Sequence, residues 1–194
     1  MASGRSSTRW LLWLVLVSVP AAVLAQVAKH VDHSHWTSKY DRHFRKYSKH
    51  YFGAGFDWRW FKAQAIAESG LKPKAKSATG ARGVMQILPS TYAEIKKKNP
   101  HFKRIDSPKW SIAAGIYYDR QLFRRWTQYI GGDERLRFAL ASYNAGFGAL
   151  RKAYRKALKA KKDVQSWPQV EPYAPGQTRH YVRRIQRLMR KGEG

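Results

Sequence analysis

Apolar side chains recur along most of the chain with the three- and four-residue spacing that is typical of amphipathic α-helices. In the last such segment the apolar residues occupy one helix face and five arginines lie elsewhere, which is a strong amphipathic pattern. No alternating run of four or more residues indicates a strand, so we expect an all-α, mainly helical fold. The spacing predicts seven helices, over residues 39–52, 57–68, 89–97, 109–129, 133–144, 147–161 and 178–190.

The stretches between the predicted helices contain residues that interrupt helices. Residues 71–83 are rich in Lys, Ser, Gly and Ala and predict a loop. A short apolar piece follows over residues 84–88, and Pro89 then begins the next helix. Residues 163–175 contain three prolines and predict an irregular crossing. Since no repeat or long linker divides the remainder, we expect a single globular domain.

The first 25 residues have the pattern of an export signal. Arg5 and Arg9 provide a positive start, residues 10–24 are mostly apolar, and the small residue Ala25 ends a cleavage site. The apolar stretch is shorter than the roughly 17–25 residues of a membrane-spanning helix, although a retained anchor is the alternative. We therefore predict a signal peptide over residues 1–25, cleaved near Ala25, and export to the periplasm or cell envelope.

The chain is strongly basic. It contains 38 Lys and Arg against 12 Asp and Glu, for a formal net charge of +26. Loss of the signal peptide would remove two basic residues and no acidic one, so the charge belongs to the mature protein. Such a charge steers association with anions. Because nucleic acid is rarely the partner outside the cytoplasm, we expect anionic cell-envelope polymers as partners and no nucleic acid.

Metal and thiol chemistry have little support in the sequence. The chain has no cysteine, which excludes disulfides, thiol metal sites and lipid attachment through cysteine. His30, His33 and His35 lie close together after the predicted signal, and imidazole is a common metal ligand. A solvated N-terminal arm explains these histidines as well, so we expect no metal and no cofactor.

Glu68 occupies a position where its helix should carry another apolar residue. On a helical wheel Trp58, Phe61, Ala65 and Glu68 fall within about 80° of one another. Burial and the negative end of the helix dipole would both raise the pKa of this carboxyl. A neutral carboxyl near neutral pH suits a general acid. The alternative is a structural glutamate that caps a neighbouring loop or emerges into solvent.

Four short blocks occur in order along the chain: Glu68-Ser69, G-V-M-Q-I over residues 83–87, A-S-Y-N-A-G over residues 141–146 and Q-T-R-H-Y-V over residues 177–182. They resemble the motifs of the family 1 (SLT-type) lytic transglycosylases, which have a goose-lysozyme-like fold. The family's usual forms are E-S, G-L-M-Q, A-Y-N-A-G and E-T-x-x-Y-V. The resemblance covers residues from about 56 to 189, and it departs from the family at Gln177, where a glutamate is usual.

The resemblance implies an enzyme that cleaves the MurNAc–GlcNAc β-1,4 bond of peptidoglycan without adding water. Glu68 would protonate the glycosidic oxygen and then accept the proton of the muramyl 6-hydroxyl, which forms a 1,6-anhydro end. Residues 56–194 would be the catalytic domain, and residues 26–55 a basic N-terminal arm and helix. The resemblance places six further residues in or behind a substrate-binding site: Ser69, Met85, Gln86, Tyr143, Asn144 and Tyr181.

Several alternatives stay open at this point. Met85 could be a core filler, Asn144 part of a helix C-cap, and Tyr181 a packing residue. Ordinary glycosidases pair two carboxyl groups across the bond, and Asp106 and Asp119 are candidate second carboxylates for a lysozyme-type muramidase. An inactive wall-binding module and a cationic nucleic-acid or membrane-surface binder are the remaining classes. We expect a monomer that acts on peptidoglycan glycan strands.

Overall fold

The computed structural model describes residues 36–161 and 163–191. The predicted signal peptide and the three clustered histidines lie outside the described residues. No helix in the described ranges is long and apolar enough to cross a membrane. The described helices are α1 (Asp41–Phe52), α2 (Arg59–Ser69), α3 (Pro89–Lys98), α4 (Pro108–Arg125), α5 (Glu134–Ala145), α6 (Phe147–Ala160), α7 (Trp167–Val170) and α8 (Gly176–Lys191).

The predicted all-α fold is confirmed, since the described residues form helices and isolated bridges but no strand. Six of the seven predicted helices end within about two residues of their predicted bounds. The fourth ends earlier than predicted, at Arg125 instead of Tyr129, because the chain leaves the helix in a series of turns. The backbone N–H groups of Tyr129 and Ile130 both bond the carbonyl of Trp126 there, at 2.9 Å.

The prediction of a wholly irregular crossing over residues 163–175 is wrong. This stretch contains the short helix α7 and a 3₁₀ turn, Glu171–Tyr173. Ser166 and Gln169 form a reciprocal capping box at the start of α7, which satisfies free backbone donors at a helix N-terminus. Trp167 anchors the segment because its side chain is 1% exposed. Pro168 is compatible with the helix because it occupies the first turn.

Helix α5 joins the two hydrophobic clusters of the described residues. Leu136 and Leu140 pack into a cluster with residues of α2, α4 and α8. Phe138 and Ala141 pack on the other side, with residues of α6 and α7. A helix buried on two faces shows little amphipathic pattern. Because α5 packs into both clusters, it is held in position from two sides. Its C-terminal end carries the third motif block.

Helix α2 is held between α1 and α8. Lys62 is 1% exposed and is bonded to the carboxylate of Asp41 and the carbonyl of Thr37. Its ammonium also lies 5.6 Å and 5.7 Å from the ring centres of Trp36 and Trp58, within the range of cation–π attraction. These contacts fasten the residues before α1 onto the helix that carries Glu68.

Candidate functional site

Glu68 lies in the last turn of α2, beside α8. The Tyr181 hydroxyl of α8 donates a 2.6 Å hydrogen bond to Glu68 Oε1. One turn further along α8, Arg184 Nη1 donates to the carbonyl of Ala67 at 3.2 Å. Glu68 keeps part of its surface exposed, so a ligand can reach a carboxyl that is otherwise surrounded by protein. The first and last motif blocks therefore meet, although 113 residues separate them.

Burial controls the protonation of Glu68. It raises the pKa of this carboxyl from 4.5 to about 7, although the Tyr181 hydrogen bond and the positive charge of Arg184 both favour the anion. Burial also raises the pKa of Tyr181, as does the negative charge of Glu68, so Tyr181 stays a protonated donor. The carboxyl can thus be an acid or a base near neutral pH, as acid–base catalysis requires.

The second block is a loop fastened to its neighbours through its backbone. Ser69 Oγ donates to the carbonyl of Val84 at 2.7 Å, and the N–H of Met85 donates to Ser111 Oγ at 3.1 Å. The Tyr143 hydroxyl donates to the carbonyl of Met85 at 2.8 Å. Two of these bonds connect the loop to other motif blocks, and the sequence spacing alone does not show them.

Gln86 ends this loop in an uncommon backbone conformation, with φ of 45°. Such conformations cluster at functional sites because the surrounding structure must enforce them. Here the enforcement is visible: the Gln86 amide Nε2 donates to the carbonyls of Ala75 and Gly83 at 3.1 Å and 2.9 Å. The side-chain nitrogen holds the loop in shape, and the half-buried residue keeps its amide oxygen for other contacts.

The third and fourth blocks meet where α5 ends and α8 begins. Thr178 Oγ1 donates a 2.8 Å hydrogen bond to Asn144 Oδ1. Thr178 is buried and Asn144 is exposed. This bond therefore holds the exposed end of α5 against the start of α8. Gln177, which departs from the family pattern, is exposed at the start of α8.

The structure connects the motif blocks that contain the predicted site residues through hydrogen bonds, but these residues differ in exposure. Ser69, Gln86, Tyr143 and Tyr181 are half-buried, whereas Asn144 is exposed. Met85 is fully buried and packs so closely on α4 that a Cβ on Gly115 would lie 2.7 Å from its side chain. Met85 therefore supports the site from behind. That role matches the core-filler alternative.

The two candidate second carboxylates lie in different surroundings. Asp106 is paired with Arg104 at 3.1 Å and lies 3.8 Å from Arg82. Asp119 is fully buried in α4, and its Oδ1 accepts a 3.2 Å hydrogen bond from Gln64 Nε2. Gln64 was not among the predicted site residues, because a glutamine on a helix carries no sign of a distant partner.

The site contains no evident metal ligands. Within the ranges that the structure describes, no group of three or more His, Asp or Glu side chains could hold a metal ion.

Two adjoining cavities, of about 370 Å³ and 320 Å³, share Asp57, Trp60 and Arg137. Neither is lined by Glu68, and Trp60 precedes Glu68 by about 12 Å along the helix. The hydrogen bonds around Glu68 therefore define the candidate site, and these two cavities do not.

The raised pKa of Glu68 predicts a pH-dependent cost to stability. Between about pH 4.5 and 7 the folded protein holds a proton that the unfolded chain has lost. The free energy of unfolding should therefore fall as pH rises through this window, by about 3 kcal/mol from this group. Urea unfolding of Glu68→Gln at several pH values should show that the variant gains this much relative to the wild type.

Glu94→Gln is the matched control for that measurement. The Glu94 side chain is 70% exposed and pairs with Lys97 at the surface. Its replacement should leave the difference from the wild type nearly constant over the same pH range. A constant difference for Glu68→Gln as well would mean that the folded protein does not raise the pKa of Glu68.

Comparison with known proteins supports the assignment that the fold and motif blocks suggest. The fold is similar to that of the 70 kDa soluble lytic transglycosylase from Escherichia coli, with a TM-score of 0.65, 25% identity, and coverage of 87% of this chain and 26% of that one. The class is thus the lysozyme-like transglycosylase fold. The model of the transglycosylase SLT domain matches residues 46–166, and the chain belongs to that family.

Two similar proteins are both named membrane-bound lytic murein transglycosylase F. The Vibrio vulnificus protein is 40% identical over 124 residues, which is 64% of this chain and 22% of that protein. The Aliivibrio fischeri protein is 37% identical over 145 residues, 74% of this chain and 27% of that protein. The chain therefore spans about a quarter of the length of these relatives.

Proposed function

We propose that this chain is a peptidoglycan lytic transglycosylase in which Glu68 is the single acid and base. The observation that carries the proposal is a half-buried carboxyl with a pKa of about 7 at the point where the four motif blocks meet. The family membership and the relatives named lytic murein transglycosylases support the same substrate. The proposed bond is the MurNAc–GlcNAc β-1,4 linkage.

The proposed reaction begins with Glu68 as an acid. The protonated carboxyl donates its proton to the glycosidic oxygen while the bond from that oxygen to the muramyl anomeric carbon breaks, and the GlcNAc side leaves with a hydroxyl. Glu68 is then a carboxylate, stabilised by the hydrogen bond from Tyr181 and the nearby charge of Arg184. An oxocarbenium-like centre remains at the anomeric carbon.

The second half of the proposed reaction returns the proton. The muramyl 6-hydroxyl attacks the anomeric carbon, and the Glu68 carboxylate accepts the proton of that hydroxyl. A 1,6-anhydro end forms and Glu68 is again an acid, so atoms and protons balance without added water. Because the substrate supplies the nucleophile, one carboxyl can replace the usual pair. Ser69, Gln86, Tyr143 and Asn144 would hold the glycan strand, and Met85 would support them.

Analysis of digested peptidoglycan by mass spectrometry tests this proposal. Lytic transglycosylation yields anhydro-muramyl ends, which are one water lighter than the reducing ends that hydrolysis produces. A lysozyme-type muramidase is the second candidate, because Asp119 is a second carboxyl, close enough for the negative charge of Glu68 to raise its pKa. Reducing ends as the main product would favour the muramidase, and no cleavage at all would favour a wall-binding module.

The basic surface suits an exported protein that associates with the cell wall. The exposed face of α6 carries five cations that would attract anionic cell-envelope polymers, and this attraction should weaken as salt screens it. We propose the periplasm or cell envelope as the location, with the signal peptide over residues 1–25 cleaved near Ala25. The five cations are Arg151, Lys152, Arg155, Lys156 and Lys159.

The pH dependence of lysis should respond to Tyr181→Phe. If Glu68 must start protonated, kcat/KM falls as pH rises through about 7. The Tyr181 hydroxyl lowers the pKa of Glu68, so its removal should move this alkaline limb upward by about one pH unit. Initial rates of peptidoglycan solubilisation across the pH range measure the shift.

Tyr154→Phe is the matched control for this pH profile. The Tyr154 hydroxyl donates to the carbonyl of Tyr129 at 3.4 Å, within the other hydrophobic cluster. Its loss should leave the alkaline limb in place. An unchanged limb for Tyr181→Phe too would show that the hydroxyl does not tune the acid that limits the rate.

A further inference from the structure

A second carboxyl lies behind the site, on the side of the core. Asp119 of α4 is 0% exposed, and so is Gln64, which lies one turn before Glu68 on α2. Gln64 Nε2 donates to Asp119 Oδ1 at 3.2 Å. The two side chains therefore connect α2 to α4 directly below the residue that we propose as the acid and base.

Each member of this pair has one atom without a partner. Asp119 Oδ2 and Gln64 Oε1 are buried and accept no hydrogen bond from the described residues. Nor do the ion pairs of those residues include Asp119. An ionised carboxylate can only accept hydrogen bonds. If Asp119 were ionised, its Oδ2 and the Oε1 of Gln64 would therefore both lack a partner. An orphaned buried acceptor destabilises the folded protein, and a buried unpaired charge destabilises it more.

A single proton satisfies both atoms. We propose that Asp119 is a neutral carboxylic acid whose Oδ2–H donates to Gln64 Oε1, while Gln64 Nε2–H donates to Asp119 Oδ1. A protonated carboxyl supplies one donor and one acceptor, and a primary amide supplies the complement. The pair then holds Gln64 in place and puts no second negative charge beside Glu68.

The groups around Asp119 agree with a neutral acid. Burial and the negative charge of Glu68 raise the pKa of Asp119, and the Gln64 hydrogen bond opposes them. Other polar groups near this region are the hydroxyls of Tyr118, Tyr143 and Tyr181, with Arg125 near Tyr118 and Arg184 near Glu68. All three phenols have a pKa above the usual value, so near neutral pH they carry no charge.

This inference rests on the proposed function and sharpens it. When Glu68 gives its proton to the glycosidic oxygen it becomes an anion, and an ionised Asp119 would repel that anion. A neutral Asp119 lets Glu68 alternate between acid and base near pH 7. Asp119 is also sealed from solvent and occupied by Gln64, so it is a positioning residue and not the second carboxylate of a hydrolase.

Carboxyl ¹³C NMR of protein labelled at aspartate tests the protonation directly and needs no substrate. One aspartate resonance should stay at the position of a protonated acid at pH 7, where ordinary aspartates are ionised. Asp119→Asn should remove that resonance. If every aspartate is ionised at pH 7, the proposal is overturned, whatever the enzyme does to peptidoglycan.

The pH profile of Asp119→Asn gives a second, functional readout. Asparagine is uncharged and can present one donor and one acceptor to Gln64. If Asp119 is neutral, the alkaline limb of kcat/KM should not move by more than about 0.2 pH units. A limb that moves to lower pH by half a unit or more would mean that a negative charge had been removed. Should the variant not fold, the spectrum of the wild type alone decides.

Discussion

Replacement of Glu68 by glutamine is expected to reduce peptidoglycan lysis by roughly 100- to 10,000-fold, the range that one general acid contributes. Glutamine has the shape of glutamate and can still accept the hydrogen bond from Tyr181 through its amide oxygen, so the surrounding contacts persist. It has no proton to give to the glycosidic oxygen and no carboxylate to take one back. Both halves of the proposed reaction therefore fail together.

The measurement is the rate of release of soluble muropeptides from purified peptidoglycan, with binding to the same material measured in parallel. Binding should be retained in Glu68→Gln, because the other site residues are unchanged. Glu94→Gln, an exposed glutamate in α3, should match the wild type in both assays. Lysis by Glu68→Gln at the wild-type rate would remove Glu68 from the mechanism and would require another residue as the acid and base.

Sequence patterns within single segments predicted the features that depend on neighbouring residues. Helix periodicity placed Glu68 on a buried stripe at a helix end, because the 3.6-residue repeat reports which side of a helix faces the core. The structure agrees, and burial, which is one of the two predicted causes, is the largest cause of the raised pKa of Glu68. The short motif blocks predicted residues that lie near Glu68, including Tyr181. They could do so because the resemblance relates residues that are far apart in the chain, which helix periodicity does not.

Tertiary contacts between unmarked residues could not be predicted in this way. Lys62 is a charged residue and would be expected at the surface, yet Asp41 and the carbonyl of Thr37 satisfy it in the interior. Gln64 and Asp119 are 55 residues apart, and neither lies in a motif block. Their pairing depends on how α2 packs relative to α4, which no local signal in either helix specifies.

Gly83→Ala is expected to lower the free energy of unfolding by roughly 2–5 kcal/mol. Gly83 has φ of +79°, and a positive φ costs a residue with a Cβ about 1–2 kcal/mol. A Cβ here would also lie 2.6 Å from the carbonyl oxygen of Ile105 and 2.8 Å from Ser111 Oγ. Overpacking of this kind typically adds 1–3 kcal/mol. Urea unfolding of the variant measures the sum.

Gly80→Ala separates the two contributions. Gly80 lies in the same loop with φ of +84°, but no atom lies within 4 Å of where its Cβ would be. It should therefore lose only the backbone part, roughly 1–2 kcal/mol. Equal losses in the two variants would contradict the steric part of the argument.

The larger loss at Gly83 should also reduce lysis, even in conditions where the protein remains folded. Ser111 holds the N–H of Met85, and Gly83 itself accepts the Gln86 amide, so a Cβ that displaces Ser111 disturbs both ends of the loop. Gly80 has neither contact. A lytic rate that falls for Gly83→Ala and not for Gly80→Ala would therefore show that the close packing of this loop against α4 positions the proposed site.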